Sequence, residues 1–465
     1  MGRGRAGRLP ASPRGLAVRK RLAVTESGAW PDRLLEDMPA GWADRDREFL
    51  TALLQETTRL ERYVDGLLAP LLDRPLERLD APVREVLRTG AVQLVAMDRL
   101  PDHAVVSESV KLARLVAHEG AARMVNAVLR RLAGSEERSW SRHVAAMAAS
   151  DPATLDPAGV AAALSLPDAL VELWWAERGP ADALALAVAA QRPTPFALRV
   201  HVDREALVAR MLEAGVAAEA GPLVPEELRV ASPGRLPDLP GFAEGQWAVQ
   251  GPAAMLATHV LDPRPGERIA DLGAAPGGKT GHILHRLAGQ GTVVAVDFRG
   301  SRLERLRENV RRWQLGTPQV VEADAADPVA LAEAGLVAGG CDRVLLDAPC
   351  SGLGTLYRKA DLRWRWTSER TEELARLQAR MLRTAFALLR PGGVLVYATC
   401  TLARAENEGV VEAFLASEPR ARAADMRPWL PAAWSEEAAR GMITLMPHRH
   451  GTEGFFLARI QHVQP

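Results

Sequence analysis

The sequence predicts an α/β protein. Its C-terminal domain is Rossmann-like, with a doubly wound, mostly parallel sheet, and it is preceded by an all-α domain and a small α/β connector. Three observations in the 465 residues predict this. Between 41 and 133, apolar residues recur at three- and four-residue spacing, the period of amphipathic helices. From 246 onward, short apolar runs alternate with helix-period segments, the pattern of parallel strands joined by crossover helices. Between these regions lies "ASPGRLPDLPGF" (231–242), whose Pro and Gly content reads as a linker.

Residues 1–40 read as a basic, disordered arm: "MGRGRAGRLPASPRGLAVRKR" holds seven Arg or Lys and no acid before Glu26. It lacks the apolar core of a secretory signal. Residues 41–134 form the all-α domain, with helices in "EFLTALLQETTRLERYVDGLLAPLL", "APVREVLRTGAVQLVAM" and "GAARMVNAVLRRLAG", the last stopped by Gly134. Residues 135–245 form the connector. It holds helices in "PDALVELWWAERG" and "PADALALAVAAQ", a strand "FALRVHV", and a helix opened by Asp203. Trp174 and Trp175 read as core. Residues 246–465 carry the strands "RIADL", "TVVAVD", "QVVEAD", "RVLLDAP", "GVLVYATC" and "FFLARI". Between them, one helix face gathers Leu303, Leu306, Val310 and Trp313, and another Leu374, Leu377, Met381, Ala385 and Leu388.

The formal net charge is zero, with 58 basic and 58 acidic side chains, so any nucleic-acid binding must come from local patches. Three cysteines, none in a CxxC pair, argue against a disulfide framework or a zinc site and suit a reducing cytoplasm. No apolar run approaches the ~18 residues of a membrane span.

In a doubly wound sheet, ligands sit beyond the carboxyl ends of the strands. After "RIADL" comes Gly273, Ala274, Ala275, Pro276, Gly277, Gly278, Lys279 and Thr280, which matches the phosphate loop G-x-x-x-x-G-K-[ST]. "RVLLD" would then supply a magnesium-binding Asp347, so a nucleotide hydrolase is one reading. Against it, Asp271 lies two residues before the first glycine, and Asp297 ends "TVVAVD", where an acid accepts from a ribose hydroxyl. A hydrolase also has no use for Cys350 and Cys400, each just past a strand.

Those cysteines suit a different chemistry. Carbon 5 of a pyrimidine is a poor nucleophile. A thiolate that adds at carbon 6 makes carbon 5 enamine-like and able to attack a sulfonium methyl group, after which a base removes the carbon-5 proton. A protonated carboxyl or a positive group near ring nitrogen 3 would take up the developing charge, and Asp347 is placed for that. One cysteine could add to the ring while the other aids release. A free cysteine is most often a small buried apolar residue, and Cys341, ahead of its strand, takes that reading.

With these residues the C-terminal half resembles the RNA 5-methylcytosine methyltransferases that use S-adenosyl-L-methionine. The resemblance rests on "DLGAAPGGKT", "VVAVD", "EADAAD", "DAPCSGLGT", "YATCT" followed by "AEN", and "GFFLARI". It implies that Cys400 is the nucleophile, that Cys350 promotes product release, and that the cofactor meets the loop 273–279, Asp297 through its ribose, Asp324 near its adenine, and Asp347. Lys279 could meet the RNA or the reacting base. The segments 74–114 and 124–132 resemble the NusB-like domain of one branch of that family, and 198–216 resemble its connector. That branch methylates a cytosine of 16S ribosomal RNA in the bacterial cytoplasm. The resemblance therefore implies a cytoplasmic, monomeric RNA methyltransferase without a membrane or metal.

The chain departs from the family pattern at Gly273, where Cys is usual, at Gly251, where Asp is usual, and at Arg404-Ala405, which replace Pro-Glu before Glu406-Asn407. The helix that usually opens the NusB-like domain is not evident before residue 41. "YRKADLRWRWTSER" reads as an RNA-contacting segment, with Arg358, Lys359, Arg363, Arg365 and Arg370 for phosphates and Trp364 and Trp366 for stacking. A core placement of the tryptophans is the alternative there. On the helix 301–313 the arginines read as a solvated face. The rivals to the whole reading are the nucleotide hydrolase, a non-catalytic RNA-binding scaffold, and the same chemistry on tRNA or another ribosomal RNA site.

Overall fold

The computed structural model describes residues 9–27, 41–193, 196–231 and 233–464. They fall into two compact units, one comprising 1–192 with 356–365, the other 193–355 with 366–465.

The first unit is helical. Its elements are α1 (Pro13–Ser27), α2 (Asp44–Arg59), α3 (Glu61–Leu68), α4 (Ala81–Ala96), α5 (Asp102–Val116), α6 (Glu119–Ala133), α7 (Trp140–Ala148), α8 (Pro157–Ala163) and α9 (Asp168–Ala189). α4 is buried almost throughout, so the other helices pack around it. α9 is broken at Gly179, whose φ is +80°, and Pro180 restarts it.

Three features differ from the sequence expectation. Pro13–Ser27 is a helix rather than a disordered arm. It is held by Arg21, which is fully buried and donates to Glu85 at 3.1 Å, Thr58 at 3.1 Å and Glu61 at 2.5 Å. The opening helix that seemed missing is therefore supplied by this basic stretch. The described helices of 140–189 group with the helical unit rather than with the connector.

The third concerns 356–365. This piece follows the Cys350 loop in sequence but packs within the helical unit. Arg363 is fully buried there and donates to the carbonyls of Ser165 at 3.1 Å and of Ala190 and Leu356 at 3.2 Å. Trp364 donates its indole N–H to Thr58 O at 2.6 Å, and Trp366, outside the piece, donates to Thr371 Oγ1 at 2.8 Å. Arg363 is a structural clamp, fully buried and out of reach of RNA phosphates.

The second unit contains two sheets. The connector sheet has the order β2-β3-β1-β4 and is antiparallel throughout, from β1 (Phe196–Val200), β2 (Ala218–Ala220), β3 (Glu227–Val230) and β4 (Trp247–Val249). The helix α10 (Arg204–Glu213) opens with Asp203 accepting from Ala206 N at 2.8 Å, an N-cap legible in the sequence.

The large sheet follows α11 (Pro252–Leu261). Its strands are β5 (Arg268–Leu272), β6 (Thr292–Asp297), β7 (Gln319–Glu322), β8 (Cys341–Asp347), β9 (Leu389–Thr399), β10 (Ala421–Ala423), β11 (Met442–Leu445) and β12 (Phe455–His462). The order is β10-β12-β9-β8-β5-β6-β7, with β11 beside β12. β5 to β9 are parallel, and β12 returns antiparallel along β9. Helices cover both faces, so the central strands are nearly continuous apolar runs. Ile269, Ala295, Leu345 and Val396 face α11, α12 (Gly278–Leu287) and α13 (Gly300–Trp313). Leu272, Val294, Leu346 and Tyr397 face α14 (Pro328–Glu333), α15 (Ser368–Ala387) and α16 (Glu408–Ser417). The predicted inner faces of α13 and α15 are the buried ones.

Connector and sheet are joined inside this unit by a buried charge cluster. Glu226 Oε1 lies 2.7 Å from His259 Nε2 and 2.5 Å from His282 Nε2. Arg199 on β1 is fully buried and supplies the neighbouring positive charge.

Candidate active site

The parallel strands β5 to β9 end at one edge of the sheet. The residues that follow them are Gly273, Asp324 and Cys400, while Asp297 and Asp347 close β6 and β8. The topology thus brings the sequence-predicted residues to one rim.

The loop after β5 is shaped by two glycines. Gly273 has φ +80°, and a Cβ there would lie 2.2 Å from the Asp347 carbonyl oxygen. Gly277 has φ +102° and starts α12. Between them, Ala275 N–H donates to Asp297 Oδ2 at 3.3 Å. The hydroxyl of Thr280 is occupied by Asp271 at 2.6 Å. Asp271 is fully buried, and burial pushes its carboxyl up to about 7. In a phosphate loop this hydroxyl would face magnesium; here it ties the loop to the strand below.

Asp297 is almost fully buried and accepts from Arg299 N–H at 3.2 Å, with Arg302 Nη1 at 3.3 Å. Arg302 also donates to Ala275 O, so this residue of the supposed solvated face braces the loop. A carboxylate has about four lone-pair sites, so Asp297 retains capacity for a further hydroxyl donor. Phe298 follows it and is exposed, an aromatic face beside the acid. Asp324 is exposed in a turn, where it accepts from Ala326 N at 2.8 Å. A glycine cradle beside a buried acid and an open aromatic fits a nucleoside with a charged tail.

At the next two strand ends the sulfurs of Cys350 and Cys400 lie 3.4 Å apart. Their loops are stitched together. Gly354 N–H donates to Cys400 O at 2.9 Å, and the hydroxyls of Ser351 and Thr401 are 2.7 Å apart. Glu406 accepts from Ser351 N at 2.9 Å and from Gln378 Nε2 at 2.9 Å, and Gln378 also reaches Pro349 O at 2.9 Å. Asn407 accepts from Thr399 Oγ1 at 2.6 Å and donates to Thr401 O at 3.0 Å. The retained Glu-Asn pair thus positions both cysteine loops. Gln378, on a helix remote in sequence, was not legible as part of this scaffold.

Lys279 Nζ lies 2.7 Å from Asp347 Oδ2 and over the ring of Phe455. Burial opposes its charge, but Asp347, with Asp271 and Cys400, outweighs burial and holds the ammonium above its ordinary value. The hydrogen bond to Cys400, with burial, pushes the Cys350 thiol well above its ordinary range. The rim therefore presents a proton-retaining thiol, a second sulfur near an ammonium, and a lysine–aspartate pair.

Fold and site together define a class, the S-adenosyl-L-methionine-dependent methyltransferases. The family described as 16S rRNA methyltransferase RsmB/F matches residues 258–461, and the NusB family matches 12–134. The probable ribosomal RNA small subunit methyltransferase B of Synechocystis sp. is 34% identical over 92% of this chain and 94% of its own length. The ribosomal RNA small subunit methyltransferase B of Pseudomonas putida is 34% identical over 97% of this chain and 98% of its own. Among solved structures, PH0851 superposes with a TM-score of 0.75 at 24% identity, covering 96% of this chain and 98% of its own. The chain belongs to the ribosomal RNA small subunit methyltransferase B family. This overturns the nucleotide-hydrolase reading of the glycine loop.

Proposed function

We propose that the protein methylates carbon 5 of a cytosine in RNA, 16S ribosomal RNA in particular, through a covalent adduct with Cys400. The observation that carries this is the 3.4 Å pair of sulfurs at adjacent strand ends, beside the Lys279–Asp347 pair. The names of the relatives support the RNA substrate.

Residues 273–279 with Asp297 and Asp324 would hold the cofactor, which would supply an electrophilic methyl group. Cys400, with the ammonium of Lys279 nearby, adds as the thiolate to carbon 6 of the base. Asp347 and Lys279 act at the ring edge, where negative charge builds as the thiolate adds. After methyl transfer a base removes the carbon-5 proton, the bond between carbon 6 and sulfur breaks, and Cys400 leaves as the thiolate, a release that Cys350 beside it promotes.

Cys400→Ser is expected to reduce methyl transfer to background, because a serine hydroxyl is a far weaker nucleophile at neutral pH. Cys350→Ala is expected to accumulate a protein–RNA adduct that survives denaturing electrophoresis. Normal turnover by the second variant, with no adduct, would refute this division of roles. Bisulfite sequencing of ribosomal RNA from cells lacking the gene identifies the target cytosine.

A further inference from the structure

We propose that Cys350 and Cys400 form a reversible disulfide when a hydroperoxide reaches the site, making the sulfur pair an oxidative modification site that switches methyl transfer off. The loss of transfer rests on the reading of Cys400 as nucleophile; the bond itself rests on geometry alone.

The geometry is unusually permissive. The sulfurs are 3.4 Å apart, and a disulfide requires about 2.05 Å. Closing the gap takes about 1.4 Å of combined sulfur movement, within reach of small side-chain rotations. The two loops are already tied together by the Gly354–Cys400 hydrogen bond and the contacts through Ser351, Thr401 and Glu406, which hold the sulfurs side by side. Both cysteines are partly exposed, so a small oxidant can enter, whereas Cys341 is buried. The ammonium of Lys279 interacts electrostatically with Cys400, the positive charge beside a sulfur that oxidation exploits.

The chemistry balances with a hydroperoxide as the oxidant. The Cys400 thiolate attacks the terminal peroxide oxygen, the O–O bond breaks, and the departing alkoxide takes a proton from solvent, leaving a sulfenic acid. Cys350 sulfur then attacks Cys400 sulfur; the S–O bond breaks, and hydroxide leaves as water with the proton of Cys350. Two thiols are oxidised, and one hydroperoxide is reduced to an alcohol and water. A dithiol reverses the bond by exchange. The cofactor loop at 273–279 and Asp297 take no part, so cofactor binding should survive.

The test uses the full-length protein, reduced and transferred to thiol-free buffer, with hydrogen peroxide as the probe. Non-reducing peptide mass spectrometry should find a Cys350–Cys400 linked peptide. Methyl transfer to ribosomal RNA should fall at least tenfold and return with dithiothreitol, while S-adenosyl-L-methionine affinity stays within twofold. Cys350→Ser, unable to form the bond, should instead be oxidised at Cys400 to a sulfinic acid, read by mass spectrometry and not reversed by dithiothreitol. Absence of the linked peptide, with Cys400 sulfinic or sulfonic acid in the parent protein, would overturn the inference. A linked peptide without loss of transfer would leave the modification site standing and overturn Cys400 as nucleophile.

Discussion

At the scale of single residues, two departures from the family pattern find physical reasons. Where the family usually has Asp, this chain has Gly251, and a Cβ there would lie 1.8 Å from Glu453 Oε1. A carboxylate is still delivered to this spot, from the other end of the domain. Gly251→Asp is therefore expected to destabilise the protein by about 2 kcal/mol through overpacking and like charge. Adding Glu453→Ala should recover much of that loss, a coupling on the order of 1 kcal/mol in a urea double-mutant cycle. Additive effects would show that the two positions do not share the space. Gly273 follows similar logic, since its positive φ and the nearby Asp347 carbonyl leave no room for the usual cysteine side chain. Asp297→Ala should weaken cofactor binding at least tenfold by calorimetry, and unchanged affinity would remove it from the site. The strand-end residues were legible because a motif and an apolar run together fix their place. Glu453 and Gln378 were not, because their partners lie 202 and 28 or 29 residues away in sequence.

At the scale of elements, α1 was misread. Its basic residues look like a solvated arm, because the acids that neutralise Arg21 come 40 and 64 residues later. Arg21 and Glu85 are both fully buried, and Arg88 closes the network by pairing with Glu85 at 2.8 Å and Asp65 at 2.6 Å. Removing one member of a buried pair costs about 3–5 kcal/mol, because the remaining charge is stranded. Arg21→Met should cost about 3 kcal/mol, the lower end of that range, since Arg88 still faces Glu85. Urea denaturation measures the loss, and hydrogen exchange should localise it to α1. A loss under 1 kcal/mol would mean that α1 is held by apolar packing alone. The strands β5, β6, β8 and β9, by contrast, were legible, since burial on both faces writes an apolar run directly into the sequence.

At the scale of the whole molecule, the prolines of 231–242 read as a linker, yet its described residues lie between β3 and β4 of one sheet with Leu239 in the core, and only the folded contacts assign 356–365 to the helical unit. Nothing in "YRKADLRWRW" distinguishes an arginine that meets phosphate from one that meets backbone carbonyls. The buried titratable groups act on global stability in opposing directions. Burial depresses His282, facing Glu226, Arg199 and His259, from 6.5 to about 3, so the unfolded chain takes up a proton below 6.5 that the native state refuses. Its contribution to stability is full above 6.5 and is lost as pH falls. Burial raises Asp271, facing Thr280, Asp347, Lys279 and Asp297, from 3.8 to about 7, so the native state keeps a proton that the unfolded chain releases. Its contribution is full below 3.8 and is lost as pH rises towards 7. Between about pH 4.5 and 6 the two slopes, each about 1.4 kcal/mol per pH unit, oppose and largely cancel. Asp271→Asn keeps the shape and an acceptor for Thr280 but removes one of them. Its stability should therefore rise with pH more steeply than that of the parent, by about 1.4 kcal/mol per unit across this window. Urea midpoints at four pH values measure both slopes. Equal slopes would mean that the Asp271 carboxyl is ionised in the native state, and that the proton held beneath the glycine loop is absent.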